Sequence, residues 1–158
     1  MGFGSLEHAA LKWLRYRRRC QIVALERWVF DHAGRPDVVG VNHKCYVIEI
    51  EVKRTWSDFN ADSKKHKVSL IPPTRQRYYL APRELAERIA SSMSEVLKAR
   101  GEDYDWGVIT PFGDKMKVYR RCQVNPLARK LTNKQLWGMI SKMSGTLVKQ
   151  QEQIDREK

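Results

Sequence analysis

The chain has 158 residues, 42% hydrophobic and 30% charged, which predicts one domain with its own core and argues against disorder. No apolar run is long enough to span a bilayer, and the opening MGFGSLEHAALKWL lacks the charged and then apolar regions of a secretory signal. Thirty Lys and Arg against eighteen Asp and Glu leave a net charge of +12, which favours a polyanionic partner through counterion release.

No strongly basic amphipathic helix with large apolar residues opposite is evident, so nucleic acid is expected as that partner and not a membrane surface. Cys20, Cys45 and Cys122 form no C-x-x-C pair, so neither a structural zinc site nor a disulfide framework is indicated. They read as small reduced thiols in a cytoplasmic protein.

In chain order, Ser5 is expected to cap a first helix running to about Arg19. Leu6, Ala9, Ala10, Trp13 and Leu14 form its apolar stripe, and the basic run Arg15 to Arg19 suits its C-terminal dipole. Gln21 to Phe30 reads as a strand rich in β-branched and aromatic residues, interrupted by Glu26, which is either functional or a rim position with water access. Asp31 to Gly34 predicts a turn into a second strand that carries Asp37. Asn42-His43-Lys44 joins that strand to a third.

The third strand alternates strictly. Tyr46, Ile48, Ile50 and Val52 fall on one face, and Glu49, Glu51 and Lys53 on the other. Asp37, on the neighbouring strand, is able to point towards that charged row. Carboxylates beside a lysine suit metal-assisted phosphodiester hydrolysis, because Mg²⁺ is commonly held by one or two carboxylates and keeps waters and phosphate oxygens as its other ligands. A lysine amine can orient or deprotonate the attacking water, or stabilise the charged transition state. The plain alternative is a half-exposed strand with mixed charges on its solvent face.

Ser57 and Asp58 predict the start of a helix to Lys67, with Phe59 under the sheet. Val68 to Gln76 is expected to be a loop, broken by Pro72-Pro73, and Arg77 to Ala81 a short buried strand. Pro82 opens a third helix with Leu85, Ile89, Met93, Val96 and Leu97 on its core face, and Gly101 ends it. Trp106 to Thr110 and Met116 to Cys122 predict two more strands around the turn at Pro111 to Asp114. Thr132 to Gln135 has the form of a capping box for a C-terminal helix over about 132–155. Its apolar positions Leu136, Ile140, Met143, Leu147 and Ile154 approach a heptad seam. That seam either packs on the body of the domain or forms a homodimer contact.

Pro36-Asp37 followed by Glu51-Val52-Lys53 closely resembles the PD-(D/E)xK, or restriction-endonuclease-like, nuclease superfamily. The wider run RPDVVGV…VIEIEVKRTWSDFNADSKKHK looks like its small bacterial MmcB-like DNA-repair branch, over about residues 5 to 82. The resemblance implies an α/β fold: a mixed sheet flanked by helices, one domain over 1–158 with its core at about 5–122 and an added C-terminal helix. It implies a metal-dependent DNA endonuclease using Mg²⁺, with Mn²⁺ as a substitute, in DNA repair, recombination or phage DNA processing. The setting would be the cytoplasm of a bacterium or a phage-infected host.

Carried over, Asp37 and Glu51 would be metal ligands and Lys53 the catalytic lysine. Glu49, Glu26 and Glu7 compete for an auxiliary acidic role, Glu49 and Glu7 towards metal. Arg35, Arg54, Lys64, Lys65 and Lys67 are candidate phosphate contacts, and Trp56 is either a base-stacking residue or a buried one. No target-reading module is recognisable, which favours structure-dependent or weakly sequence-specific cutting. RNA stays open as a target, although no RNP-type aromatic signature is present. The alternative reading is a non-catalytic nucleic-acid-binding module on the same fold.

Overall fold

A computed structural model describes residues 5–26, 36–65, 74–101 and 106–157. Helix α1 covers Ser5–Lys12 and runs directly into a π-helical turn over Trp13–Arg17. Sequence periodicity predicts one continuous α-helix to Arg19; the last turn is instead wider, with the Arg18 N–H donating to Trp13 O at 2.9 Å, the i→i+5 spacing of a π-bulge. Cys20 N–H then reaches back to Leu14 O at 2.9 Å, and Arg19 takes a positive φ of 54°. The wide turn lets adjacent Trp13 and Leu14 both pack against the sheet, while Arg15 to Arg19 stay exposed.

The strands are β1 (Ile22–Leu25), β2 (Val38–Val41), β3 (Val47–Val52), β4 (Gln76–Leu80), β5 (Gly107–Phe112) and β6 (Lys115–Arg120). They form one sheet in the order β1-β2-β3-β4-β5-β6. β1, β2 and β3 are antiparallel neighbours, β3, β4 and β5 run parallel, and β6 returns antiparallel to β5. Helices α2 (Trp56–Lys65) and α3 (Arg83–Arg100) make the parallel crossovers, because parallel neighbours need a long connection. Helix α4 spans Asn133–Arg156. The protein is thus α/β, a six-stranded mixed sheet flanked by helices. No helix among the described residues is long and apolar enough to cross a membrane.

The first strand is shorter than predicted, since Glu26, at φ 47°, leaves the extended region. The rest of that segment and the Asp31 to Gly34 turn lie outside the described residues. Thr55, not Ser57, caps α2, its Oγ1 accepting from Asp58 N–H at 3.1 Å. Gln76, placed in a loop by the prolines, already pairs with Ile48. The Asn42 turn forms as read, with Asn42 Oδ1 accepting from Lys44 and Tyr46 N–H at 3.0 Å each. Gly101, at φ 68°, ends α3, a left-handed cap that glycine adopts without strain.

One face of the sheet presents Val38, Ile48, Ile50, Val52, Leu80 and Ile109 to Leu6 and Ala10 of α1 and Leu14 of the π-helical turn. Gly40 lets the π-helical turn and Cys20 come this close: a Cβ there would stand 2.8 Å from Cys20 Sγ and 3.2 Å from Leu14 Cδ1. The opposite face divides between two covers. Tyr79 and Val108 pack with Phe59 of α2 and with Ala86, Ile89 and Met93 of α3. Val39, Val41 and Val47 pack with Leu131 and with Met139 of α4. Each Val, Leu, Ile, Phe or Met side chain among them stabilises the fold by roughly 1.5–3 kcal/mol on burial.

Helix α4 begins with the predicted capping box, Thr132 and Gln135 bonding each other's backbone N–H. Its first half packs through Leu136, Met139 and Met143. Leu147 and Ile154 further along are 65% and 49% exposed.

Candidate active site

Glu49, Glu51 and Lys53 sit where strand alternation sets them, on the face of β3 away from α1. Lys53 lies one residue past the strand, and its N–H donates to Leu80 O at 2.9 Å, so the β3–β4 ladder and its alternation continue to the lysine. Glu49 is buried, while Glu51 and Lys53 are half-buried. Both neighbours fix the register: Val38 pairs with Ile50 and Val39 with Glu49 on β2, and Glu51 pairs with Tyr79 on β4.

Continuing the β2–β3 register by one residue sets Asp37 across from Glu51. Asp37 stands just ahead of β2 rather than within it, and its Oδ2 accepts from the Val52 N–H at 2.8 Å. That charge-assisted bond holds the carboxylate on β3 itself. Glu26 donates its backbone N–H to Asp37 O at 3.0 Å, which puts the Glu26 backbone beside Asp37, with its side chain exposed.

Glu7 reaches the same end of β3 from α1. Its two carboxylate oxygens accept from Arg54 Nη2 at 2.7 and 2.6 Å. Arg54, read as a phosphate contact, therefore has its guanidinium on Glu7. Even residues of β3 face α1, so this ion pair stands on the α1 side of the strand and Lys53 on the other.

Trp56 is half-buried, 5.3 Å from the Phe59 ring, with the Arg88 guanidinium 3.8 Å over its own ring. One face of its indole is therefore occupied within the protein. Lys64 and Lys65 end α2, but their side chains lie outside the described set, as do Arg35 and Lys67 altogether.

Three features near the row have no obvious sequence signal. Tyr79, the β4 partner of Glu51, stacks on Trp106 at 4.3 Å and accepts from buried Arg100 at 2.9 Å. Arg100 reads in the sequence as an ordinary basic helix end. Thr110 follows Ile109 at the level of Lys53 and Ala81, and its hydroxyl is buried with no hydrogen-bond partner among the described residues. Asp37 bonds a backbone N–H, which only the pairing of the strands reveals.

Among the described residues no cluster of three or more His, Cys, Asp or Glu is arranged to hold a metal ion. The facing Asp37 and Glu51 are a two-carboxylate set. That donor set suits a hard cation that keeps water and substrate oxygens as its remaining ligands, and not a closed structural site.

No family model and no curated protein matches the chain. Its fold is similar to that of a solved protein of unknown function from Silicibacter pomeroyi, at a TM-score of 0.56 and 16% identity, over 95% of this chain and 88% of the other. At that identity the likeness is one of fold.

Proposed function

We propose that this protein is a metal-dependent DNA endonuclease of the restriction-endonuclease-like, PD-(D/E)xK kind, hydrolysing phosphodiester bonds. The observation that carries the reading is the register that sets Asp37 across from Glu51, with Lys53 two residues on. Support also comes from the element order: a helix, three antiparallel strands, a helix and a parallel fourth strand. The net charge of +12 supports a nucleic-acid substrate.

Asp37 and Glu51 would hold a Mg²⁺ ion, which when bound lowers the pKa of a coordinated water and neutralises charge developing on the phosphate. The Asp37–Val52 hydrogen bond fixes one carboxylate oxygen and leaves the other for the ion. Lys53 supplies an amine on the same face to orient or deprotonate the attacking water and to stabilise the charged phosphorane-like transition state. Glu49 is the auxiliary acid of the row; Glu7 joins it only if Arg54 releases it. DNA is the expected polymer, and structure-dependent or weakly sequence-specific cutting the expected mode.

A second reading, a nucleic-acid-binding module without catalysis, is favoured by the lack of a three-ligand cluster among the described residues and by the engagement of Glu7 with Arg54. The test incubates the protein with supercoiled, single-stranded, flap and four-way-junction DNA in Mg²⁺, Mn²⁺ or EDTA, beside Asp37→Ala and Lys53→Ala. Metal-dependent cutting abolished by both substitutions supports the enzyme. Binding without cutting under every metal replaces it with the binding module.

A further inference from the structure

On the sheet face opposite the carboxylate row, two open cavities adjoin across one indole. The larger, about 630 Å³, is lined by Trp13, Arg18, Gln76, Tyr78, Val118 and Arg121 among others. The smaller, about 260 Å³, runs from His8 and Lys12 past Trp13 to Tyr16, Arg17 and Lys115. Trp13 lines both, so they form one groove between α1 with its π-helical turn and the β5–β6 edge. Five Lys or Arg side chains border it against a single carboxylate, Asp114.

The π-helical turn builds this arrangement. At about 100° per residue, α winding would carry Arg18 roughly 140° round from Trp13. The wider turn brings it back to the same side, where its guanidinium lies 5.6 Å from the Trp13 ring centroid and donates to Gln76 Oε1. Trp13 is braced edge-on by Tyr78 at 5.2 Å. Tyr78 is buried enough to push its phenol up to about 12, so it is a neutral floor. Tyr16, 72% exposed, adds a second aromatic ring at the rim.

We propose that this groove binds single-stranded nucleic acid, its cations tracking the phosphates, with exposed Tyr16 and the part of the Trp13 ring that Arg18 leaves uncovered providing stacking surfaces. A positively charged track interleaved with aromatic rings is what strands bind without sequence readout. Duplex bases are stacked and paired, and cannot enter cavities on either side of one indole. The groove begins at His8, next to Glu7, which holds Arg54 beside the lysine of the row. The inference rests on the proposed function for the class of partner, but not for catalysis.

The test is fluorescence anisotropy in EDTA, with a labelled oligothymidine and a labelled duplex of equal length. The probed variant is Arg18→Glu/Arg121→Glu; both positions are exposed, so the fold is expected to survive, as thermal melting checks. Affinity for the single strand is expected to fall at least about tenfold, with a shallower salt slope, and affinity for the duplex to change far less. Tyr16→Ala is expected to weaken the single strand severalfold at unchanged salt slope. Equal losses on both probes, or none, overturn the groove and leave the nuclease reading intact. Groove-dependent strand binding, with no cutting of any DNA once Mg²⁺ or Mn²⁺ is supplied, upholds the groove and removes the nuclease. A chain that binds neither probe overturns the groove, and the cutting assay in Mg²⁺ or Mn²⁺ then decides the nuclease separately.

Discussion

Two six-residue strands, VIEIEV in β3 and KMKVYR in β6, both carry a stretch that alternates charged with apolar residues, and the protein treats them in opposite ways. β3 has a strand on each side and helices over both faces, so Glu49 is buried and only Glu51 remains half-exposed. β6 is the edge of the sheet, with Lys115 and Lys117 in solvent. Edge lysines cost little and discourage pairing with another chain. An interior carboxylate is different: it has to be matched by partners or it destabilises the fold. Related patterning therefore carries functional weight in one strand and almost none in the other, and the number of neighbouring strands decides which.

That contrast can be broken or sharpened by measurement. The largest expected effect is on the apolar side of β3. Ile50→Ala, at a fully buried position, is expected to cost about 2–5 kcal/mol in urea unfolding, and Met116→Ala on half-buried β6 clearly less. Equal costs would mean that β6 is as enclosed as β3.

Next is the response to alkali. Burial under α1 raises the Cys20 thiol from 9.0 to about 11, ahead of the opposing pull of Arg18 and Arg15. The unfolded chain therefore loses this proton first. Stability is expected to be level below about pH 9 and to fall as pH rises towards 11, by up to about 2–3 kcal/mol from this group. The Cys20→Ala variant should show a flatter profile over the same range.

Smaller still is the loss on removing one charge from the row. Glu49→Ala is expected to destabilise by about 1–3 kcal/mol, because the groups that match it are left unsatisfied. Lys117→Ala on β6 should stay within about 0.5 kcal/mol, and a larger value would sink the distinction between the two strands.

Much of this architecture was legible because its signals are local. The order of elements, the Asn42 turn, the Thr132 capping box and the Gly101 stop each depend on a few adjacent residues, and the structure has them all. The charged row was legible too, since alternation in β3 needs no knowledge of its neighbours. What escaped depends on distant partners. Nothing near Glu7 announces Arg54, and Arg88 covers Trp56 from another helix. Trp13, where the π-helical turn begins, meets Tyr78, 65 residues away. The cap at Thr55 is ambiguous in the sequence for a subtler reason: Ser57 and Asp58 are also good capping residues, and only the first helical residue tells which one acts.

The sheet has one more consequence, for the order in which the protein is made. Strand order in space repeats strand order along the chain, so each new strand finds its neighbour already synthesised and can add to a growing edge. The cover of the β2–β3 valines is the exception. Met139 follows Val41 by 98 residues, a gap of roughly 5–20 s at ordinary rates of translation. For that interval Val39, Val41 and Val47 lack their helix, so a nascent chain is sticky there, and a chain terminated early keeps that surface for good.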